Sequence, residues 1–432
     1  MAITMVFALS SPATARSFIR DAEIEATLRR IAKPVLQAAN LPPSSIRIIL
    51  INDPDMNAFV LGRGNIFIHS GMLTRLKSIE MIQAVIAHEA AHLVSGHQIS
   101  RRIAADAAGR TAGLGILLAA IAAGTGNSKA ALPLALSTQE ATRRRQLAHS
   151  RAQEASADQA SVRYLAKAGI DPRAAIETLN LFRGQEILAT RRIDPYVQTH
   201  PLNSKRRAFL KQAVERVRYT PKPASKSLVY WHARMVAKLN GFIRNPKTQL
   251  KRIGRADSSE ISTYIRAIAA HRMSDKSGKE QIARLLKLRP NDPYYRELSA
   301  QFNFENGQID AAISDYRKAM SLAPKEPLIA SGLARALLAK NTKASNAAAL
   351  KLLKNAAAKD RADPGILQNL ALAYGRTGQT GRASLAIAER YALIGRIQDA
   401  AIHARRATGL LPKGSPSWKK AQDITRLAQK LQ

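Results

Sequence analysis

Two histidines four residues apart, with a glutamate beside the first, are the side chains in this sequence best placed to do chemistry: His88-Glu89-Ala90-Ala91-His92. In a helix, positions i and i+4 share one face about one turn apart, so both imidazoles can reach a single metal ion. The glutamate then borders the same ion and can take a proton from water. That combination suits zinc-assisted hydrolysis of an amide bond. Met81, Ile82, Val85, Ile86 and Leu93 carry helical apolar spacing through the motif. The helix therefore belongs to a core, where His88, Glu89 and His92 need a reason to be. The plain alternative, three unrelated polar residues on a helix, fits that setting poorly.

A catalytic zinc has three protein ligands and one open position. His97 lies five residues past His92, off the metal-binding face, and reads as a helix-end residue. Ser95 and Gln98 stand where the metzincin pattern needs Gly and His, so that class is excluded. The third ligand must come from a second helix. Residues 150–164 supply Glu154 and Asp158 at i and i+4. Glu154 is the candidate ligand. Asp158 can hydrogen-bond the outer nitrogen of a ligand histidine and fix its tautomer. Ala155, Ser156 and Ala157 are small enough to let two helices approach closely. A solvated acidic pair is the alternative. It loses ground in a chain with 31 acidic residues against 67 basic ones.

His88-Glu89-x-x-His92 followed by Glu154-x-x-Ala157-Asp158 resembles the HtpX/BepA-type zinc metalloendopeptidase family, which also contains the CAAX prenyl protease. Asn57-Ala58-Phe59, Gly64, Ile66 and Gly71 resemble the strand pair before that family's zinc helix. Thr199-His200-Pro201 and Arg206 resemble its His-Pro segment near the cleft. The most similar branch is soluble, periplasmic and TPR-bearing. The resemblance covers residues 20–210 by motif and the remainder by architecture. One position departs: Ser156 stands where the family usually has a second Glu. The ligand Glu and the Asp are intact, so little effect on metal binding is expected.

The mechanism expected is then Zn2+ held by His88, His92 and Glu154, with water in the fourth position and Glu89 as general base. His200 has two roles open to it. It donates a hydrogen bond to the developing oxyanion, or it binds the zinc itself and blocks the open position as a latch. A simple turn at His200-Pro201 is a third reading.

Elements must hold these residues in place. Residues 19–39 read as a helix, 46–51 as a strand, and 57–61 and 65–69 as a hairpin around Gly62-Arg63-Gly64. The zinc helix, an apolar excursion and the Glu154 helix follow. The fold class expected is an α+β zinc metallopeptidase domain, mostly helical with a small sheet, then an all-α TPR-like solenoid. Asn65–His69 is the candidate exposed sheet edge, able to hold an extended peptide by backbone hydrogen bonds with loose side-chain selectivity.

The domains expected are a signal-peptide-like segment 1–15, the peptidase domain 16–219, a linker 220–227, a helical connector 228–289 and TPR-like repeats 290–432. Pro290 and Pro324 are 34 residues apart, as are Pro293 and Pro327, and Pro364 follows after a short extension. Ala312, Tyr316 and Ala319 in one unit, and Leu370, Ala371 and Tyr374 in another, sit at helix-packing positions. One more helix is expected at the end, from Gly395, Ala400, Ala404, Ala407 and Pro412. Such an array is a binding surface for substrate or partner, or an extension of the fold without one.

Residues 1–15 end in Ala13-Thr14-Ala15, a cleavage-like pattern, with no basic stretch before it. An ordinary disordered N-terminus is the alternative. The cysteine count is zero, which excludes disulfides and thiolate ligands. Residues 111–136 are apolar and Gly-rich but too short to span a membrane. They read as a hairpin over the cleft, or as a lid touching a membrane surface or unfolded substrate.

Net charge is +36. Such a field attracts nucleic acid and anionic lipid alike, and a generally basic proteome would produce the same charge. Aromatics are 5% and no nucleic-acid-reading fold is visible, so nucleic acid is not the expected partner. The function expected is periplasmic: cleavage of unfolded or misassembled envelope proteins, with the barrel-assembly machinery as partner, both implied by the resemblance. The alternative is a TPR chaperone or scaffold for outer-membrane assembly with a latent zinc site.

Overall fold

The computed structural model describes residues 18–61, 64–96, 151–183, 196–197, 200–201, 204–254, 256–360 and 363–430. The signal-like residues 1–15, the excursion 111–136 and His97 lie outside them. The described chain forms two compact units, one around residues 24–239 and one around residues 240–432.

The first unit holds a small sheet: β1 (Phe18–Ile19), β2 (Arg47–Ile51), β3 (Ala58–Val60) and β4 (Asn65–His69), in the order β1-β2-β4-β3. β4 runs parallel to β2 and antiparallel to β3. This corrects one expectation. Asn65–His69 is an interior strand, and the edge beside it is β3. The reason is burial on both faces. Ile66 and Ile68 face one way, Phe67 and His69 the other, and all four are buried. A strand covered on both sides belongs in the interior of a sheet. β3 is short, as edge strands commonly are.

β4 runs directly into α1 (Ser70–Arg75). Gly71 is required there. Its N–H donates to the Asp53 carbonyl at 2.8 Å, and a Cβ would lie 2.0 Å from the Pro54 carbonyl oxygen. α2 (Ile79–Val94) follows, capped by Ser78, whose hydroxyl accepts from the Met81 N–H. Nearly every residue from Ile79 to His92 is buried, so this helix is central. Helix α3 (151–168) packs on it through Ala91, Ala157 and Ala160. Of the small residues expected at this contact, Ala157 is wholly buried, while Ser156 is exposed. Helices α4 (Arg173–Asn180) and α5 (Ser204–Arg216) complete the surroundings of the site.

The second unit is a run of helix pairs. Pro293–Glu305, Pro327–Lys340 and Pro364–Arg376 each begin with proline, where a missing N–H costs nothing. Asp292 and Asp363 cap two of them. The partner helices are Ile309–Leu322, Lys343–Lys359 and Thr380–Leu393. Ala312, Tyr316, Leu333, Ala334 and Leu337 share one core. Gly332 lets the Tyr316 ring approach; a Cβ there would lie 2.5 Å from the ring. Two helices close the array where one was expected: Ile397–Leu410 and Pro416–Lys430. The last is so polar that only Ala421 and Ala428 are fully buried, which hid it from apolar patterning.

Gly71→Ala should destabilise the first unit by about 1–3 kcal/mol or more, because the new methyl meets backbone rather than a movable side chain. Urea unfolding of the full chain measures this; an unshifted midpoint would show that the strand-to-helix junction yields freely.

Candidate metal centre

Helical spacing puts His88 and His92 one above the other on α2, and α3 lays Glu154 across from them. Their functional atoms converge. His88 Nε2 is 3.1 Å from His92 Nε2 and 3.2 Å from Glu154 Oε2. His92 Nε2 is 3.4 Å from Glu154 Oε1. His200 completes the group, with Nδ1 3.0 Å from Glu154 Oε2 and 3.2 Å from His88 Nε2. Among the described residues, these four could hold a metal ion, and all four are buried.

Two tautomers are set by outer partners. His88 Nδ1 is 3.0 Å from Asp158 Oδ1, so that nitrogen keeps a proton, and Nε2 is the one that turns a lone pair inward once its own proton is displaced. His200 Nε2 is 3.2 Å from the carbonyl oxygen of Ala58, so it donates there and Nδ1 turns inward. The interior therefore gathers nitrogen lone pairs and a carboxylate, which suits a cation. The spacing fits as well. The four donor atoms all lie within 4.8 Å of one another, close enough for one ion to be shared among them.

The electrostatics point the same way. Burial opposes protonation of His88, but hydrogen bonds to Asp158 and Glu154 outweigh it and push its pKa up to about 9. Burial brings His92 down to about 3, and the positive charge of the neighbouring His88 adds to the fall. Burial also works against the Glu154 carboxylate, yet the neighbouring histidines, His200 foremost, hold it well below the usual range. The cluster thus favours one positive charge at its centre.

Glu89 is wholly buried beside the group, with Oε1 3.5 Å from His200 Nε2. Asp158 is held in turn by Arg206, which donates from Nε at 2.6 Å and from Nη2 at 2.9 Å. Burial disfavours the Asp158 anion, but the Arg206 charge lowers its pKa overall.

The family model for Peptidase family M48 matches residues 20–214. A tetratricopeptide repeat model matches residues 255–407. The chain carries a peptidase family M48 domain followed by tetratricopeptide repeats. The beta-barrel assembly-enhancing protease of Escherichia coli K12 is 23% identical over 407 residues, which is 92% of this chain and 81% of that protein. The protein of the same name from Yersinia pestis is 22% identical over 388 residues, 88% of this chain and 78% of that one. The mitochondrial metalloendopeptidase OMA1 of Arabidopsis thaliana is 30% identical over 196 residues, 45% of this chain and 36% of that one. The M48 domain makes the chain a metalloendopeptidase.

Two residues of the M48 site were not singled out by sequence reasoning. Arg206 entered only through the resemblance. In the structure its Nη1 also lies 3.2 Å from Glu154 Oε2 and donates to the carbonyls of His200 and Pro201 at 3.1 and 3.3 Å. It thereby ties the carboxylates on α3 to the segment carrying His200. Tyr196 gave no signal except its place four residues before His200. Its ring lies 4.6 Å from the His200 ring, and its carbonyl accepts the His200 N–H at 2.7 Å.

Metal must displace the proton that His88 holds up to about pH 9. Apparent metal affinity should therefore rise with pH through neutrality, by up to about tenfold per pH unit, and level off near pH 9. Chelator competition across that range reads it out, and a flat profile would contradict the assignment of His88.

Proposed function

We propose that this chain is a zinc-dependent endopeptidase that hydrolyses peptide bonds of misfolded or misassembled envelope proteins. The convergence of His88, His92 and Glu154 on one point, with Glu89 beside it, carries this reading. Imidazole and carboxylate donors gathered this closely suit Zn2+. When bound, zinc supplies the Lewis acidity that makes water nucleophilic near neutral pH and polarises a carbonyl. His88, His92 and Glu154 would hold it, with Asp158 fixing the His88 ring. Glu89 takes a proton from the attacking water on a carboxylate oxygen and returns it to the leaving amine nitrogen. An extended substrate is held along the β3 edge by backbone hydrogen bonds.

His200 Nδ1 lies 3.0 Å from Glu154 Oε2 and 3.2 Å from His88 Nε2, beside the donors that would hold the metal. This favours the latch role over the oxyanion donor for the resting enzyme, because a ring there excludes water. The same observation supports a second reading: a TPR chaperone or scaffold for outer-membrane assembly whose metal site stays latent. The repeats bind substrate or partner in either case. The relatives named beta-barrel assembly-enhancing proteases support a role in barrel assembly, and a periplasmic place beside the outer-membrane assembly machinery is part of this proposal. No helix among the described residues is long and apolar enough to cross a membrane.

Glu89→Gln should keep fold and zinc while cleavage of an unfolded protein falls by about 10²–10⁴-fold; retained cleavage removes Glu89 as base. Glu154→Ala should lose zinc by elemental analysis, and unchanged zinc content would take it out of the ligand set. His200→Ala should raise proteolysis if the ring is a latch. A fall would restore the donor role, and no metal-dependent cleavage in any form would favour the latent scaffold.

A further inference from the structure

The edge of β3 has a defined hydrogen-bonding face. In an antiparallel pair, successive residues point their backbone groups alternately toward and away from the partner strand. The His69 N–H donates to the Asn57 carbonyl at 2.9 Å, and the Leu61 N–H to the Asn65 carbonyl at 3.1 Å. Asn57 and Leu61 thus face β4, and so does Phe59, which shares their register. The backbone groups of Ala58 and Val60 must face the other way, out of the sheet. The outward carbonyl of Ala58 accepts the His200 Nε2–H at 3.2 Å, the place a neighbouring strand's N–H would take.

One rigid ring therefore makes two contacts. Nε2 holds the edge carbonyl, and Nδ1 lies 3.0 Å from Glu154 Oε2 in the metal group. An added strand runs about 4.8 Å from its neighbour, so its backbone would pass through the volume this ring fills. A carbonyl oxygen has a second lone pair, but the space is exclusive. Ala58 is fully buried and His200 is 2% exposed. The ring is also tethered. The Tyr196 N–H donates to the Met56 carbonyl at 3.1 Å, next to the start of β3. Arg206 holds the His200 carbonyl from the other side.

We infer that strand pairing on β3 and closure by His200 are mutually exclusive, so that an extended peptide opens the site by taking the Ala58 carbonyl from the histidine. This rests on the zinc-peptidase reading and deepens it. The substrate class is an unpaired β-strand segment whose own N–H can replace that of His200. A folded protein, with its backbone already paired, cannot open the latch. A segment lacking the N–H at this register cannot either. Selectivity thus resides in backbone hydrogen bonding.

The test uses the full chain carrying Glu89→Gln, to prevent turnover, with Co2+ as the metal. The visible cobalt spectrum reports coordination without reference to activity. The probes are a ten-residue Val-Thr repeat peptide and a ten-residue polyproline peptide, which has no peptide N–H to offer on either edge. The Val-Thr peptide should bind and change the cobalt spectrum, and the polyproline peptide should do neither. Adding His200→Ala should tighten Val-Thr binding by about tenfold or more, because no closed state then competes. Failure of the Val-Thr peptide to bind, binding without a spectral change, or an unchanged affinity in the double variant each overturns the inference. A chain that shows no cobalt band at all overturns the metal site itself, a distinct result. The spectral arm needs no change at His200, so a poorly folded His200→Ala variant leaves the test intact.

Discussion

Four acceptors gathered within 4.8 Å of one another in a buried space repel unless a positive charge lies among them. Protons can supply only part of it. The outer hydrogen bonds to Asp158 and Ala58 place the His88 and His200 protons on the far side of each ring. The lone pairs left inside, together with the Glu154 carboxylate, are arranged for a cation. The surrounding architecture follows from that requirement. α2 and α3 must meet closely enough for a short carboxylate to reach two imidazoles, which explains alanine at 91, 157 and 160.

Arg206 balances the same account from outside the cluster. Two carboxylates lie on one face of α3, and only one of them faces the metal position. A bidentate guanidinium on Asp158 neutralises the other. A buried ion pair of this kind adds little net stability, since desolvation offsets attraction. Its value here is placement. With Asp158 locked, His88 keeps one tautomer, and the same guanidinium fixes the backbone that carries His200.

Much of this was legible in the sequence because it follows helical periodicity. His88 with His92, and Glu154 with Asp158, are i and i+4 pairs, and their convergence needed only two helices in contact. The repeats were legible for a similar reason, since proline at the first helical position recurs at 34 residues between Pro293 and Pro327. What was not legible depends on non-local pairing. Strand order comes from the parallel pairing of β2 with β4, and apolar residues on both faces of Asn65–His69 were the available hint. Arg206 is one of 67 basic residues, and nothing local marks which of them is buried. Tyr196 acts through stacking on a ring four residues away, a contact with no sequence signature. The terminal helix buries too few side chains to show a pattern.

The most direct test of the central claim is a crystal structure of the zinc-loaded chain with diffraction recorded at the zinc absorption edge. The account predicts an anomalous peak about 2.0 Å from His88 Nε2, His92 Nε2 and a Glu154 oxygen, with His200 Nδ1 as the fourth neighbour when no peptide is bound. A peak elsewhere, or no peak between these side chains in a chain that holds zinc in stoichiometric amount, would contradict it.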